Sequence, residues 1–424
     1  MSIVTAISKP EVYEIKTIKL TSPLIHIGSA VSRLNPFEYV QTTNKVYLPN
    51  QDALAKALKA KGGRYLEEYI EKIDNRHSID NLLKQAFGDR WWQCQDPAGE
   101  AIFPNHAIAH KLTEERISDL RPMIRNGIGQ FFIPGSSIKG AIRTAIAYYL
   151  IKHADRFQVP AVRRRSEIEQ KLNARLGELG NKHKQKFLDD DLFMNSLFSE
   201  FTLTYQDRIF SAWGPNTDFL RSLKVSDSIP LVEKRITNKQ GRSIPVNLPI
   251  VAEVIVSSRF PDYLAKYKAS IYAEMVRNVS AEFTLTLDQK MLAWFKHDQD
   301  MIIPFSNLDE LLKICEEFAQ EQWDYEHDYW NLIKNNPRAA GKNLDFNYIR
   351  DIYEPKVCPY TLRIGWGSGM TGTTIGLCID DQLRSNIRDK CGISAPGFEA
   401  PKSRRTIMNR EGEIRYLPGW VKFK

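Results

Sequence analysis

The chain has 424 residues, of which 42% are hydrophobic and 11% aromatic, so it can bury a large core and is not an intrinsically disordered protein. Its formal net charge of +8 favours a polyanionic partner. The five cysteines include no Cys-x-x-Cys pair, which argues against a zinc ribbon or a disulfide framework. The sequence also shows no signal peptide and no apolar run of membrane-spanning length, so we expect a cytoplasmic protein.

The first predicted element is a strand at residues 13–20, where apolar and polar residues alternate. An apolar segment follows it, punctuated by Pro23 and Gly28. His26 lies inside that segment and has two possible roles. It could act in acid–base chemistry, or it could be a packed, hydrogen-bonded histidine, which is the commoner role for a lone histidine among apolar residues.

A helical insertion is predicted after the first strand. Apolar residues recur at steps of three and four over residues 51–84, and the Gly-Gly pair at 62–63 separates two helices. We expect this insertion to extend over residues 51–130. His106 and His110 are four residues apart and could share a helix face, as metal ligands do, but no nearby glutamate completes a zinc motif. We therefore predict no metal site.

Residues 131–145 read as a short apolar strand, a Pro-Gly turn and a helix. Ser136 or Ser137 could cap this helix, and Lys139 and Arg143 lie four residues apart on one face. Free N–H groups, hydroxyls and two cations at a helix start would form a cradle for an anion such as phosphate. The alternative is a well-capped helix whose cations point to water. The spacing is not that of a Walker A loop.

The middle of the chain alternates helical and strand patterns. A basic, charged stretch makes residues 146–220 a second predicted helical insertion, and a short strand follows at 223–228. Residues 230–249 suggest a long hairpin with a basic tip. The nearly all-apolar stretch 250–257 predicts a central strand, and the alternating stretch 281–287 predicts a strand with one solvent face. With the first strand, this pattern is compatible with an α+β, ferredoxin-like (RRM-type) sheet.

The last part of the chain contains a long helix, which we expect Ser306 to cap, and a glycine-rich stretch at 362–375. The glycines at 367, 369 and 372 match Gly-x-Gly-x-x-Gly superficially, but a dinucleotide site would also need a parallel βαβ context. Glycines at a bend also let the backbone approach phosphates closely. The closing Gly-Trp-Val piece predicts a final strand.

Five segments together resemble the RAMP superfamily, the RNA-binding backbone subunits of CRISPR effector complexes. The strongest are the Phe-Ile-Pro-Gly-Ser-Ser-Ile-Lys-Gly segment and the late glycine-rich segment, in this order. In particular they resemble the Csm-type end-cap subunit of type III-A complexes. The resembling segments are residues 20–29, 131–145, 223–228, 361–375 and 401–424.

The resemblance implies a ferredoxin-like RAMP fold with large helical insertions, and two RRM-like halves are possible within it. We expect Asp227 to serve as a structural hydrogen-bond acceptor. The expected domains are residues 1–300, an RRM-like core with insertions at about 51–130 and 146–220 and a thumb-like hairpin at about 230–249, and residues 301–424, a C-terminal helical segment, glycine-rich loop and final strand packed on that core.

The resemblance also implies a function: a non-catalytic, cofactor-free scaffold that caps the backbone at the 3′ end of the guide RNA (crRNA) and supports crRNA maturation and antiviral defence. Its partners would be crRNA, a neighbouring RAMP backbone subunit and other Csm-complex subunits, with target RNA as a further candidate. Slicing members of the family use an aspartate in the loop after the first glycine. The loop between Ser29 and Gln51 of this chain has no aspartate, and Glu38 is the only carboxylate in that loop.

The residues expected to contact RNA come from four segments and share small size, hydroxyl groups or positive charge. They are Gly28, Ser29, Gly135, Ser136, Ser137, Lys139, Gly140, Arg143, Lys234, Arg235, Arg242, Arg363, Gly365, Gly367, Ser368, Gly369, Thr371 and Thr373. No catalytic residue is assigned. The alternative function is a metal-independent, RNA-processing endoribonuclease, for which His26 with Lys139 would be the acid–base pair.

Overall fold

The computed structural model describes residues 13–177, 190–205, 208–210, 214–237 and 241–424. The strands are β1 (Tyr13–Ile25), β2 (Val40–Gln41), β3 (Lys45–Tyr47), β4 (Ile108–Leu112), β5 (Leu120–Arg121), β6 (Phe201–Tyr205), β7 (Arg208–Phe210), β8 (Leu223–Val225), β9 (Lys234–Thr237), β10 (Ser243–Val246), β11 (Leu248–Arg259), β12 (Ala265–Asp288), β13 (Phe295–His297), β14 (Asn336–Ala339), β15 (Lys342–Leu344), β16 (Leu362–Arg363), β17 (Arg404–Met408), β18 (Ile414–Tyr416) and β19 (Trp420–Phe423). The α-helices are α1 (Gln51–Lys61), α2 (Gly63–Asp74), α3 (Asp80–Phe87), α4 (Gly135–Lys152), α5 (Arg165–Ala174), α6 (Asn195–Ser199), α7 (Gln289–Leu292), α8 (Leu308–Leu332), α9 (Asn347–Tyr353), α10 (Gly369–Thr373) and α11 (Asp381–Lys390).

One large sheet organises the molecule. Among the described residues it contains 12 strands, and its main path runs β16-β19-β1-β12-β11-β4-β3-β2. The strand β12 is central: it pairs antiparallel with β1 along one edge and with β11 along the other. The strand β19 returns antiparallel to β1, with Phe423 opposite Leu20. The chain order of these core elements is therefore strand (β1), helix (α4), two strands (β11 and β12), helix (α8) and strand (β19).

The predicted long strands are confirmed, and their burial follows their sequence patterns. Residues 281–287 of β12 alternate between buried apolar and more exposed polar side chains. The strand β11 is apolar on both faces because Val251 packs into one cluster while Ile250 and Ala252 pack into another. A strand covered on both faces reads as a continuous apolar run.

Two helices, α4 and α8, pack against each other in the main core. The side chains of Ile138, Ile142 and Ala145 on α4 are fully buried there. The predicted cap of α8 was wrong by one residue. Asn307 accepts the N–H of Glu310, whereas Ser306 bonds to the Glu310 carboxylate. The helix α8 contributes to the main core, and the strand β19 pairs with β1.

The first insertion is helical only in part. The three helices α1–α3 form their own apolar cluster, and Gly62, with φ of +144°, separates the first two as predicted. The rest of this insertion, residues 88–130, contains no α-helix. The strand β4 joins the main sheet beside β11, and it contains His110, while His106 lies in a preceding 3-10 turn. The two histidines therefore do not share a helix face.

The second insertion also mixes helix and strand. It contains the helix α5 and the strands β6 and β7, which form a small sheet with β13. Part of the basic stretch predicted here lies at residues 178–189, outside the described residues. None of the helices in the described part of the chain combines the length and apolarity that crossing a bilayer requires. Within the same residues, no three His, Cys, Asp or Glu side chains are grouped to hold a metal ion.

Candidate nucleic-acid interface

The helix α4 begins at Gly135, but neither serine caps it. The N–H of Gly135 instead donates to Asp227 Oδ1 at 2.7 Å, so the predicted serine caps were wrong and the predicted acceptor role of Asp227 is confirmed. Asp227 places a carboxylate where the sequence pattern predicted a bound anion. A Cβ at Gly135 would lie within 3.0 Å of the carbonyl oxygens of Val225 and Ser226. This glycine therefore serves the close packing of α4 on the segment after β8.

The two cations of the predicted cradle make internal contacts. Lys139 Nζ donates to the carbonyl oxygens of Leu220 and Leu223, at 2.8 and 2.7 Å, and burial lowers the pKa of this lysine. Arg143 pairs with Asp218 at 2.6 Å, and its guanidinium lies 3.8 Å from the ring centroid of Phe198. Both side chains therefore hold the segment before β8 against α4.

Other members of the predicted set face outward. Gly28 and Gly140 are exposed, and a Cβ at either position would meet no atom within 4 Å. Ser136 is exposed, Ser137 is half-buried, and the hydroxyl of Ser29 donates to the carbonyl of Val31 at 2.8 Å. An open glycine leaves backbone accessible to a ligand of any shape.

The glycine-rich bend is packed on one side and open on the other. Gly365, with φ of +80°, approaches the carbonyl of His26, and Gly367 approaches Pro418, so a Cβ at either would clash. Gly369 has a φ of +67°, and a Cβ there would meet no atom within 4 Å. Thr373 is exposed, and its hydroxyl donates to the carbonyl of Gly369 at 2.9 Å. The open side of the bend is therefore its second half.

The two remaining hydroxyl residues of the bend are buried. Ser368 Oγ donates to the Gly365 carbonyl at 2.6 Å, which closes the bend internally. Thr371 is also buried, at 1% exposure. Neither hydroxyl lies on the outer surface with Thr373.

Three arginines meet at this bend, and two of them stack on Trp366. The guanidinium groups of Arg121 and Arg405 lie 5.4 and 4.3 Å from its ring centroid, and Arg405 Nη1 also donates to the Trp366 carbonyl at 3.1 Å. Arg363 donates from Nε to the Pro418 carbonyl at 3.3 Å. Burial first, and then the charges of Arg121 and Arg363, lower the pKa of Arg405. We call Arg121, Arg363 and Arg405 the arginine cluster.

The arginine cluster carries uncompensated positive charge. In the described part of the chain, none of its three guanidinium groups has a carboxylate within ion-pair distance, and Arg121 Nε is buried without a hydrogen-bond partner. A cavity of about 190 Å³ lies beside the cluster and is lined by Arg363, Arg404, Arg405 and residues 367–371 of the bend. Glu326 also lines it, and its carboxylate pairs with Arg404 at 2.8 Å. Unpaired guanidinium groups next to an open glycine backbone suit a phosphate-bearing ligand.

Sequence reasoning missed Arg121, and it singled out Arg405 only as part of a tail segment. The strand β5, which carries Arg121, pairs with β12 beside Tyr272 and Ala273, beyond the point where β1 ends at Ile25. Arg363 comes from β16 and Arg405 from β17. No local pattern relates three positions so far apart in the sequence.

His26 is a buried core residue, at 2% exposure. Its Nδ1 donates to the Glu274 carbonyl at 2.6 Å, and its ring meets Trp366 edge-on at 5.4 Å. Burial lowers its pKa to about 4. The packed interpretation of this histidine is confirmed. The described contacts do not bring it to Lys139, which is bonded to other carbonyls.

The predicted hairpin is present as β9 paired antiparallel with β10, and its tip at 238–240 lies outside the described residues. Lys234, Arg235 and Arg242 are all exposed on it. The short strand predicted before α4 was wrong, since Phe131 forms only an isolated bridge with Arg125. The N–H of Leu231 donates to the Phe131 carbonyl at 2.7 Å, so the base of the hairpin adjoins the segment before α4. A groove of about 520 Å³ lies between them.

The four predicted segments are joined in space by backbone contacts. The N–H of Trp366 donates to the His26 carbonyl at 3.1 Å, which joins the glycine-rich bend to the Gly28 loop. Isolated β-bridges pair Gly28 with Met123 and Arg125 with Phe131. The segment 123–125 thus connects the Gly28 loop to the segment before α4 and, through it, to the hairpin.

The sequence profile of the RAMP superfamily matches residues 17–330, which is most of the chain. The chain belongs to the RAMP superfamily. The RAMP match includes most of β1, the start of α4, the hairpin and nearly all of α8, so three of the four predicted segments lie inside it. The glycine-rich bend lies beyond its end.

Two curated relatives of this RAMP chain carry the name "CRISPR system Cms protein Csm5". The one from Methanocaldococcus jannaschii is 24% identical over 279 residues, which cover 64% of this chain and 54% of the relative. The one from Enterococcus italicus is 27% identical over 152 residues, which cover 32% of this chain and 43% of the relative. The chain thus spans about half the length of the curated relatives it matches.

Solved structures share the fold over nearly the whole chain. A chain of a structure titled as a Csm–crRNA–target RNA ternary complex of a type III-A CRISPR-Cas system has a TM-score of 0.59 at 20% identity, covering 97% of this chain and 100% of that one. The crystal structure of T. onnurineus Csm5 has a TM-score of 0.53 at 18% identity, and the match covers 96% of this chain and 100% of that one.

Proposed function

We propose that this RAMP chain is a non-catalytic RNA-binding scaffold subunit of a type III-A CRISPR effector complex, capping the backbone at the 3′ end of the crRNA. The observation that carries the proposal is its sequence similarity to two proteins named Csm5, in a chain of the RAMP superfamily. The fold similarity to a chain of a Csm–crRNA–target RNA complex supports it. Its partners would be crRNA, target RNA, a neighbouring RAMP subunit and other Csm subunits.

The proposed RNA contacts lie on the outward-facing part of the predicted set. Gly28, Gly140 and Gly369 leave backbone open, Thr373 offers a hydroxyl, and the arginine cluster supplies charge. Contacts to sugar and phosphate carry no sequence information, which suits a complex that accepts any guide. Lys139 and Arg143 act in this proposal by holding α4 in place, since both are used by internal contacts.

We further propose that the core is ferredoxin-like. The order β19-β1-β12-β11 with α4 and α8 as connecting helices supports this assignment, because a strand–helix–strand–strand–helix–strand chain gives that arrangement. The hairpin of β9 and β10 would be the thumb of the RAMP fold. Two RRM-like halves and a domain division near residue 300 stay predictions.

The proposal includes no RNA cleavage by this chain. A general base must come within hydrogen-bond reach of the proton it removes. The buried ring of His26 is bonded to the Glu274 carbonyl and has a pKa near 4, which does not suit that role at neutral pH. Purified protein incubated with precursor crRNA should leave it intact. Cleavage that is lost in His26→Ala would instead establish the endoribonuclease alternative.

The experiment that tests the scaffold role is a nuclease footprint on crRNA. The chain is mixed with crRNA and co-expressed backbone subunits, and we expect protection of the 3′ portion that disappears when this chain is left out. Loss of the chain in cells should also leave crRNAs poorly trimmed at that end. Protection of the 5′ portion, or an unchanged footprint without the chain, would contradict the proposal.

A further inference from the structure

A second positively charged surface lies at the turn between β11 and β12. It consists of Phe260, Tyr263, Lys266, Lys268 and Lys402, which we call the turn patch. The ammonium group of Lys266 lies 4.7 Å from the ring centroid of Phe260. Lys402 precedes β17 and stacks on the ring of Phe398 at 5.1 Å. None of the patch residues belongs to the RNA-contacting segments proposed above.

The three lysines of the turn patch form no ion pairs with the described residues. Among the described residues, no carboxylate lies within ion-pair distance of any of them. The acids nearby have other partners. Glu399 pairs with Arg259 at 2.5 Å, and Asp262 accepts the N–H of Leu264 at 3.2 Å. Asp389, which is near enough to Lys402 to interact with its charge, pairs with Arg388 at 2.6 Å. Partial burial, and then the charges of Lys266 and Lys402, lower the pKa of Lys268. Like charges this close together favour an anionic partner.

The two aromatic rings of the turn patch are exposed, Phe260 at 36% and Tyr263 at 37%. Tyr263 also has a φ of +69°, a conformation that a bulky side chain rarely adopts and that costs free energy. The turn is nevertheless well tied, since Lys334 donates its N–H to the Tyr263 carbonyl at 2.9 Å. The guanidinium group of Arg259 lies 4.3 Å from the ring centroid of Tyr263, so this ring packs on a surface cation and is not part of the core.

We propose that the turn patch binds single-stranded RNA, with the lysines contacting phosphates and the two rings stacking on bases. Alternating cations and exposed rings are how proteins hold single strands without reading sequence. An acidic protein surface would use the lysines but would not need two exposed rings at a strained turn. The inference rests on the proposed function for the identity of the RNA.

The position of the turn patch indicates which RNA segment it holds. Lys402 also lines the cavity beside the arginine cluster, so the patch continues the surface of the glycine-rich bend. The start of α4, in contrast, adjoins Thr284, whose N–H is bonded to Ser226. Lys268 lies 16 residues from Thr284 on the same strand, about 50 Å along a straight strand. The patch therefore holds the RNA that leaves the bend on the side away from α4.

The first test removes two lysines and measures binding of single-stranded RNA by fluorescence anisotropy at several salt concentrations. Lys266→Ala with Lys268→Ala should weaken binding and reduce the slope of log affinity against log salt by about 1.4. The control, Lys59→Ala with Lys84→Ala, loses the same charge from the exposed surface of α1 and α3 and should leave the slope unchanged. Equal effects of the two variants, or no effect of either, would overturn the inference.

The second test separates stacking from charge and from folding. Tyr263→Asn keeps a residue that tolerates a positive φ, so the melting temperature should not fall, while affinity for single-stranded RNA should drop by about fivefold to a hundredfold. Affinity for double-stranded RNA should change less, because its bases are already stacked. An unchanged affinity of Tyr263→Asn for single-stranded RNA would contradict the proposal. So would turn-patch variants that bind RNA normally but associate less well with other protein subunits.

Failure of this inference is distinguishable from failure of the proposed function. If the wild-type chain binds no RNA, the proposed function fails. If the wild type binds and Lys234→Ala with Arg235→Ala weakens binding, while the turn-patch variants do not, only the turn patch is excluded.

Discussion

Two glycines of α4 serve opposite purposes, although they lie only five residues apart. Gly135 is buried, and its missing Cβ lets the carbonyl groups of Val225 and Ser226 approach. Gly140 is exposed, and a Cβ there would meet nothing. A glycine inside a helix costs stability relative to alanine, so Gly140 is not explained by the fold. The RNA contact proposed above would account for it, since a glycine lets an RNA backbone approach closely.

Alanine at these two positions should therefore have opposite effects on stability. Gly135→Ala should lower the free energy of unfolding by about 1–3 kcal/mol through overpacking. Gly140→Ala should raise it by about 0.5–1 kcal/mol and weaken RNA binding. Denaturant unfolding and RNA titration of both variants check this. An RNA affinity of Gly140→Ala equal to that of wild type would exclude a contact at this position.

Lys139 and Arg143 were predicted to bind phosphate, and their internal contacts lead to a different expectation. Lys139→Met keeps the side-chain packing but leaves the Leu220 and Leu223 carbonyls without their donor. We expect a loss of about 1–3 kcal/mol in the free energy of unfolding, while RNA affinity of the folded variant stays close to that of wild type. A stable variant with strongly reduced affinity would restore the phosphate-binding interpretation.

The buried His26 makes stability depend on pH. Its pKa is about 4 in the folded protein, compared with 6.5 for a free histidine, so below pH 6.5 the unfolded chain takes up the proton first. Stability should fall from pH 6.5 to about 4, by up to about 3 kcal/mol from this residue, and level off outside that window. His297, also lowered to about 4, contributes in the same window.

Unfolding of wild type and His26→Asn across this pH range measures the contribution of His26. The asparagine retains a donor near the Nδ1 position but does not titrate. The free energy of unfolding of His26→Asn should therefore fall less steeply with decreasing pH, and the remaining fall should come from His297. A decline identical to that of wild type would show that His26 is not the titrating group.

At the scale of the elements, the hairpin of β9 and β10 is the clearest separation of function from stability. Its outer residues are exposed, whereas its base is hydrogen-bonded to Phe131 in the segment before α4. Lys234→Ala with Arg235→Ala should change the free energy of unfolding by less than about 0.5 kcal/mol per substitution. RNA affinity should fall and its salt slope should become smaller. Unchanged affinity and slope would exclude the hairpin from the RNA path.

The extended strand β12 explains how distant segments come to share one surface. It pairs with β1, β5, β8 and β11, so it positions the start of α4, the arginine cluster and the turn patch along its length. Segments that are dispersed in the sequence therefore line up along a single strand.

For the whole molecule, we expect RNA binding that depends strongly on salt and weakly on base sequence. Phosphate contacts dominate the proposed interface, and such contacts release counterions without reading bases. Single-stranded RNAs of equal length and different sequence should bind with affinities within about threefold of each other. A preference of more than about a hundredfold for one sequence would point to base readout instead.

Local patterns in the sequence were sufficient for the long elements. The alternation at 13–20 and 281–287, the apolar run at 250–257 and the helical spacing after Gln51 all predicted elements that the structure contains. The strands β4 and β5 were missed because they are only five and two residues long. Strands this short are held by pairing with the sheet, and their own sequences carry too little periodicity to reveal it.

The amino-acid sequence alone was enough to predict the glycine bends and the RAMP family, because bends and family motifs depend on residues that are neighbours in the sequence. It could not tell that Asp227 occupies the start of α4, that Gly135 and Gly365 are packed while Gly140 and Gly369 are open, or that Arg121 and Arg405 meet at Trp366. These facts depend on the register of β12 with its partners and on the return of the C-terminal strands. Such long-range pairing is set by the packing of the whole core.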